Sequence, residues 1–156
     1  MKILRVSLFA CAIIVLTSAE FCTIDGLFKN CPRGWKEFRG RCFLFVETEL
    51  SWAKAEKYCR SMNANLASIQ SDDEEDFLDE YLDGKGSPDT WIGASDCVQA
   101  DSYWWTDGAD FANVDWCEGQ PDQDGSRYCL QLNNNDDCWS AEDCSSTKPF
   151  LCAKNI

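Results

Sequence analysis

Between Cys117 and Cys152 the chain concentrates the groups that can do chemistry. They are the amide and carboxylate of Gln120-Pro121-Asp122, an Asn/Asp run from Asn133 to Asp137, and five of the eleven cysteines. Short polar side chains at this density cannot fill a core. They are read as loops pinned by disulfides, and binding groups are commonly carried on loops held by a rigid scaffold. Bond-breaking chemistry is poorly served. The chain has no histidine, which removes a Ser-His-Asp triad, a Cys-His pair and His-ligated zinc. Paired carboxylates can hydrolyse glycosides, but these acids cluster on loops and offer no identifiable acid and nucleophile, so the chain is read as a non-enzyme. Asp122-Gln123-Asp124-Gly125 looks superficially like an EF-hand loop. The pattern fails because Gly falls at the fourth position instead of the sixth and Asn133 stands where a closing Glu is needed.

The rest of the 156-residue sequence must position these loops. Lys2 and Arg5 precede an apolar run from Val6 to Leu16 and the small residues Thr17-Ser18-Ala19, which reads as a secretory signal over 1–19. The run is too short for an ordinary membrane span. Removing Lys2 and Arg5 from the 14 basic residues leaves 12 against 27 acidic ones, a charge of −15. Such a surface repels nucleic acid and anionic membranes, and is read as a solubility feature of a secreted protein. Cys11 leaves with the signal. Ten cysteines remain, and in a small secreted chain an even number implies a disulfide framework.

Residues 20–30 form a short mixed segment carrying Cys22. From Cys31 to Phe45, aromatic residues around Gly34 and Gly40 predict a small hairpin that Cys31 and Cys42 are well placed to staple. Trp52, Ala55, Cys59 and Met62 recur at helical spacing and predict a helix over 51–62. Leu66 to Ile69 predicts a strand. Ser71-Asp72-Asp73-Glu74 is a capping box opening a second helix with Phe77, Leu78, Tyr81 and Leu82 inward. Its acidic run, Asp72 to Asp76, is read as a solvated first turn favoured by the helix dipole. Aromatic strands follow at Trp91-Ile92-Gly93 and Tyr103-Trp104-Trp105, then Leu130-Gln131-Leu132 and Phe150 to Ala153. Trp91, Trp105 and Trp116 are assigned to the core. Two helices preceding most strands give an α+β class.

In this order the landmarks resemble the C-type lectin-like domain. The matching pieces are Cys31 and Cys42, Ser51-Trp52 through Cys59, Leu66-Ala67-Ser68-Ile69, Trp91-Ile92-Gly93, Trp105 to Gly108, Gln120-Pro121-Asp122, Cys129, Cys144, and Phe150 to Cys152. Within the family the chain is most similar to the secreted fish group of galactose- or lactose-binding lectins and type II antifreeze proteins. The resemblance implies two helices, two small antiparallel sheets and a long disulfide-braced loop region, with the domain at 31–156. It also implies the pairs Cys31–Cys42, Cys59–Cys152, Cys117–Cys138 and Cys129–Cys144. In antifreeze-type members Cys97 would pair with a cysteine at the position of Tyr128. Cys97 and Cys22 are therefore unassigned, and either bridge each other or link a disulfide-bonded homodimer.

In sugar-binding members a calcium ion in this loop takes two sugar hydroxyls, and calcium wants roughly six to eight oxygens. Gln120 and Asp122 match the motif, in the amide-first order the family associates with galactose-type sugars. The remaining ligand positions depart from it: Arg127 stands for a Glu, while Ser140 and Ala141 stand for Asn and Asp. An Arg127 guanidinium can itself pair with Asp122. Strong calcium binding is therefore not expected, and Gln120 and Asp122 are the residual metal candidates. Asp136, Asp137, Glu142 and Asp143 are read as solvated loop acids. The expected ligand-binding set is Gln120, Asp122, Arg127, Trp139 and Ser140, with Trp139 and Tyr128 as rings to stack on a sugar. The expectation is a secreted galactose-type lectin of reduced or absent calcium dependence, acting in defence and binding glycans. The alternative is an antifreeze-like protein or an interaction module that binds no sugar.

Overall fold

The computed structural model describes residues 30–86, 88–99, 102–112, 114–121, 128–133 and 138–156. The expected leader, Cys22, Asp122 and Arg127 lie outside these residues. Eight strands and two helices follow in the order β1 (Lys36–Phe38), β2 (Arg41–Ser51), α1 (Trp52–Ser61), β3 (Asn65–Leu66), α2 (Asp72–Asp83), β4 (Thr90–Gln99), β5 (Ser102–Trp105), β6 (Tyr128–Asn133), β7 (Cys138–Asp143) and β8 (Thr147–Asn155).

The hairpin predicted around Gly40 forms between β1 and β2, with Phe38 opposite Arg41. Its two turn residues, Arg39 and Gly40, take φ of 45° and 80°, the left-handed pair that a tight two-residue hairpin needs. Ile156 closes this margin by donating its backbone N–H to the Gly40 carbonyl at 3.0 Å.

Strands run β1-β2-β8-β4-β6-β7, with β3 added to β8 and β5 to β4. The two antiparallel sheets expected are thus joined into one eight-stranded sheet, because β4 lies parallel to β8 at Trp91 and Phe150. Side chains alternate across a strand, and here the alternation feeds two cores. Phe43, Ile92, Leu151 and Ala153 pack with Leu78 and Leu82 of α2. Val46, Trp91, Phe150 and Cys152 pack with Trp52, Ala55 and Cys59 of α1.

Helix α1 buries the face its spacing predicted, and Met62 caps it instead of extending it. Its first N–H is satisfied from a distance, Trp52 N donating to the Cys144 carbonyl at 3.2 Å. The strand predicted over 66–69 shortens to Asn65–Leu66. Glu56 of α1 holds it, accepting from Leu66 N at 2.8 Å and from Asn65 Nδ2 at 2.7 Å.

Helix α2 starts as predicted, with the Ser71 side chain accepting from Glu74 N. The reciprocal half of the capping box does not form on Ser71, and Glu74 is not solvated. Its carboxylate is buried, accepts from Gln70 N at 2.8 Å and is paired with Arg41. Phe77 and Tyr81 are only partly buried, and Phe77 stacks on Phe38 with centroids 4.7 Å apart.

The structure contains the bridges Cys31–Cys42, Cys59–Cys152, Cys117–Cys138 and Cys129–Cys144. These are the four pairings that the resemblance implies. No helix among the described residues is long and apolar enough to cross a membrane.

Gly93 marks the tightest backbone approach. A Cβ there would lie 2.4 Å from the Leu66 carbonyl oxygen, while Gly93 N donates to Ala67 O at 2.8 Å. Both contacts are backbone, so neither can swing aside. Gly93→Ala is expected to cost about 1–3 kcal/mol, read as a lowered urea midpoint with an unchanged slope.

Candidate carbohydrate-binding site

The loop that carries the Gln-Pro-Asp triplet is fastened at both ends. Cys117 is bridged to Cys138, Cys117 N donates to Trp139 O at 2.9 Å, and Trp139 N donates to Asp115 O at 2.7 Å. The Gln120–Pro121 peptide is cis. Gln120 N donates to Cys117 O at 2.9 Å, and the Gln120 side-chain oxygen accepts from Ala141 N at 3.0 Å. The loop is therefore sewn onto β7 through the amide that the sequence singles out.

Of the expected ligand-binding set, Gln120, Trp139 and Ser140 fall within the described residues, and the last two depart from their expected roles. Trp139 is fully buried. Its ring meets Trp105 edge-on at 5.6 Å and Phe111 at 6.3 Å, so no face is open to stack on a sugar. The polar residues around it suggested exposure, but β7 turns this side chain inward beneath the loop. Ser140 is 7% exposed, and its hydroxyl accepts from Gln131 Nε2 at 2.9 Å. Both are supports for the site. Tyr128 is partly buried at the start of β6, where its N–H is held by Asp96 Oδ1 at 2.6 Å.

Among the described residues, the oxygens nearest the expected metal position already have partners within the protein. The Gln120 oxygen already accepts a backbone N–H, the Ser140 hydroxyl is engaged by Gln131, and Ala141 has no side-chain oxygen. Glu142 Oε1 accepts from Asp143 N at 2.8 Å, and its other oxygen lies 3.9 Å from Lys148 Nζ. Asp143 is fully exposed; hydrogen bonds from Ser145 hold its carboxyl below the ordinary value.

Two features of the site were not read from the sequence. One is an aromatic cleft of about 680 Å³ lined by Tyr103, Trp104, Phe111, Trp116 and Pro121. Trp104 is 56% exposed, and Pro121 places the cleft against the residue next to Gln120. Tyr103 packs against both Phe111 and Trp116, with ring centroids 5.8 and 5.2 Å away. The three aromatics at 103–105 suggested a strand, but not that one ring would face outward from it.

The other is Glu75, whose carboxylate accepts the Trp139 indole N–H. Burial pushes its pKa up from 4.5 to about 7. The indole bond opposes that shift, and Asp79, Asp115 and Asp72 reinforce it. The same acids line an open cleft of about 730 Å³ beside α2. Because the folded value lies above the unfolded one, the folded protein holds a proton that the unfolded chain releases. This contribution is complete below pH 4.5 and is lost as pH rises through about 7. Glu75→Gln keeps the acceptor and removes the charge. With half the side chain in solvent, it is expected to add about 1 kcal/mol in mildly alkaline buffer and nothing in acid, read as urea unfolding at the two ends of the range.

The fold and the braced loop define a class. The sequence profile described as Lectin C-type domain matches residues 48–154, and the chain belongs to the C-type lectin family. Among its relatives, the galactose-specific lectin nattectin of Thalassophryne nattereri is 35% identical over 81% of this chain and 82% of that protein. The type-2 ice-structuring protein of Osmerus mordax is 38% identical over 95% of this chain and 90% of that protein. A crystal structure of a calcium-independent type II antifreeze protein superposes with a TM-score of 0.75 and 32% identity, covering 81% of this chain and 95% of that one. C-type lectin-like proteins of this kind are binding proteins without enzymatic activity.

Proposed function

We propose that this chain is a secreted lectin that takes galactose-type sugars at Gln120 with little or no help from calcium, in a defence role. The single observation that carries the reading is the hydrogen bond from Ala141 N to the Gln120 side-chain oxygen. It fixes the amide on β7 by its oxygen and leaves the amide NH₂ as a donor for a sugar hydroxyl. The aromatic cleft beside Pro121 supplies the apolar surface expected of Trp139, with Trp104 as the exposed ring. Galactose specificity in nattectin agrees with the amide-first triplet. Asp122 and Arg127 enter this proposal by sequence alone.

Binding to a panel of immobilised glycans, with and without chelator, tests the reading. Galactosides are expected to bind equally in both conditions, and Gln120→Ala to weaken them about tenfold, the worth of one good hydrogen bond. Absence of binding to every galactoside in both conditions removes the proposal. A second reading, ice binding, is favoured by the ice-structuring relative and the antifreeze structure. Thermal hysteresis from the purified protein, together with silent glycans, would put it first.

A further inference from the structure

Three sulfur atoms meet at the β6–β7 margin of the sheet. Strand β6 lies between β4 and β7, and Cys129 is flanked by Ser95 on one side and Glu142 on the other. Cys97 and Cys144 each stand two residues beyond those partners, Cys97 on β4 and Cys144 in the turn that follows β7. The outcome is a cluster in which Cys97 Sγ lies 3.7 Å from Cys144 Sγ, and the three sulfurs lie within 4.8 Å of one another. Cys129 and Cys144 are bridged, whereas Cys97 is an exposed free thiol.

We propose that Cys97 attacks the Cys129–Cys144 bridge, so that the protein interconverts between two disulfide isomers. The Cys97 thiol gives its proton to solvent and the thiolate attacks Cys144 Sγ. A Cys97–Cys144 bond forms as the Cys129–Cys144 bond breaks, and the bonding pair leaves on Cys129, which takes up a proton. One thiol and one disulfide are present before and after, so no oxidant or reductant is consumed. The 3.7 Å approach sets the Cys97 sulfur beside Cys144 but off the line of the Cys144–Cys129 bond, so a rotation of the exposed Cys97 side chain precedes the attack. Cys97 is exposed and its side chain is free to turn toward the bridge, and Cys129 is fully buried, where a thiol packs as a small apolar group.

The exchange moves a covalent tie within the sheet. In the original isomer the bridge closes the β6–β7 hairpin over a separation of 15 residues. In the second it joins β4 to the end of β7 over 47, leaving β6 held by its hydrogen bonds and packing.

The test uses the full chain and a Cys22→Ser version of it, so that the other unassigned sulfur takes no part. Each is held in mildly alkaline buffer without added thiol, then trapped under native conditions with excess N-ethylmaleimide. Cleavage before aspartate separates Cys129, Cys138 and Cys144 onto different peptides. The expected result is label divided between Cys97 and Cys129, with a Cys97–Cys144 linkage in proportion to the Cys129 label. Both signatures should be lost in Cys97→Ser, whose exposed position leaves folding intact. Label confined to Cys97 after prolonged incubation, with Cys129–Cys144 as its only neighbouring linkage, overturns the proposal. So does finding Cys97 of the native chain bridged to Cys22 or to a second copy.

Discussion

Replacing Arg41 by methionine is expected to destabilise the protein by about 3–5 kcal/mol, the cost of leaving a buried carboxylate without its partner. Arg41 is 8% exposed and Glu74 4%, and the guanidinium meets the carboxylate at 2.5 Å. The same guanidinium donates to the Ser68 carbonyl at 3.1 Å and the Ser68 hydroxyl at 2.9 Å, and lies 3.7 Å from Asp107. One side chain thus ties β2 to the start of α2 and to the turn after β5. Removing it strands Glu74 in a place that water does not reach. Arg41→Met combined with Glu74→Leu should recover most of the loss, because an apolar pair of similar volume avoids the desolvation penalty altogether. Urea unfolding of the single and double variants checks both statements. A single variant within 1 kcal/mol of the parent, on the order of a surface ion pair, would show that the pair is solvated.

The second large effect is expected at Cys59 and Cys152. Both sulfurs are fully buried, and the bridge closes a separation of 93 residues, against 11 for Cys31–Cys42. The chain-entropy model assigns about 4–5 kcal/mol to the longer closure and about 3 kcal/mol to the shorter one. Paired alanine substitutions at each bridge should therefore rank in that order by chemical denaturation. The longer tie fastens α1 to β8, which runs between β2 and β4 in the middle of the sheet. Its loss should weaken both cores together, giving a single transition at lower denaturant. Equal costs at the two bridges would contradict the entropic account.

Local patterns made much of this fold legible. The spacing of Trp52, Ala55 and Cys59 gave the buried face of α1, Gly40 gave the hairpin turn, and Ser71 marked the start of α2. What stayed hidden depends on partners far away in sequence. Glu74 reads as a capping residue until Arg41, 33 residues earlier, is seen to occupy it. Trp139 sits between Cys138 and Ser140 and reads as a loop ring. Only its packing on Trp105 and its bond to Glu75, 64 residues earlier, show that it is buried. The same limit applied to the sheet, since no strand announces by its own pattern that β4 will lie parallel to β8. At the site, Gln120 could be picked out by type. That its oxygen would be met by the backbone of Ala141 required the register of the loop on β7.

The described chain begins and ends at one margin. Cys31 is bridged to Cys42, Cys42 pairs with Lys154, and Ile156 is bonded to Gly40. The sheet order sets β6 and β7 at the opposite margin, and Gln120 is anchored there. A reporter or affinity handle appended after Ile156 should leave the margin that carries Gln120 unobstructed. Molecules immobilised through it would turn that margin outward, so a bead or sensor surface coated this way should present many copies of it at once.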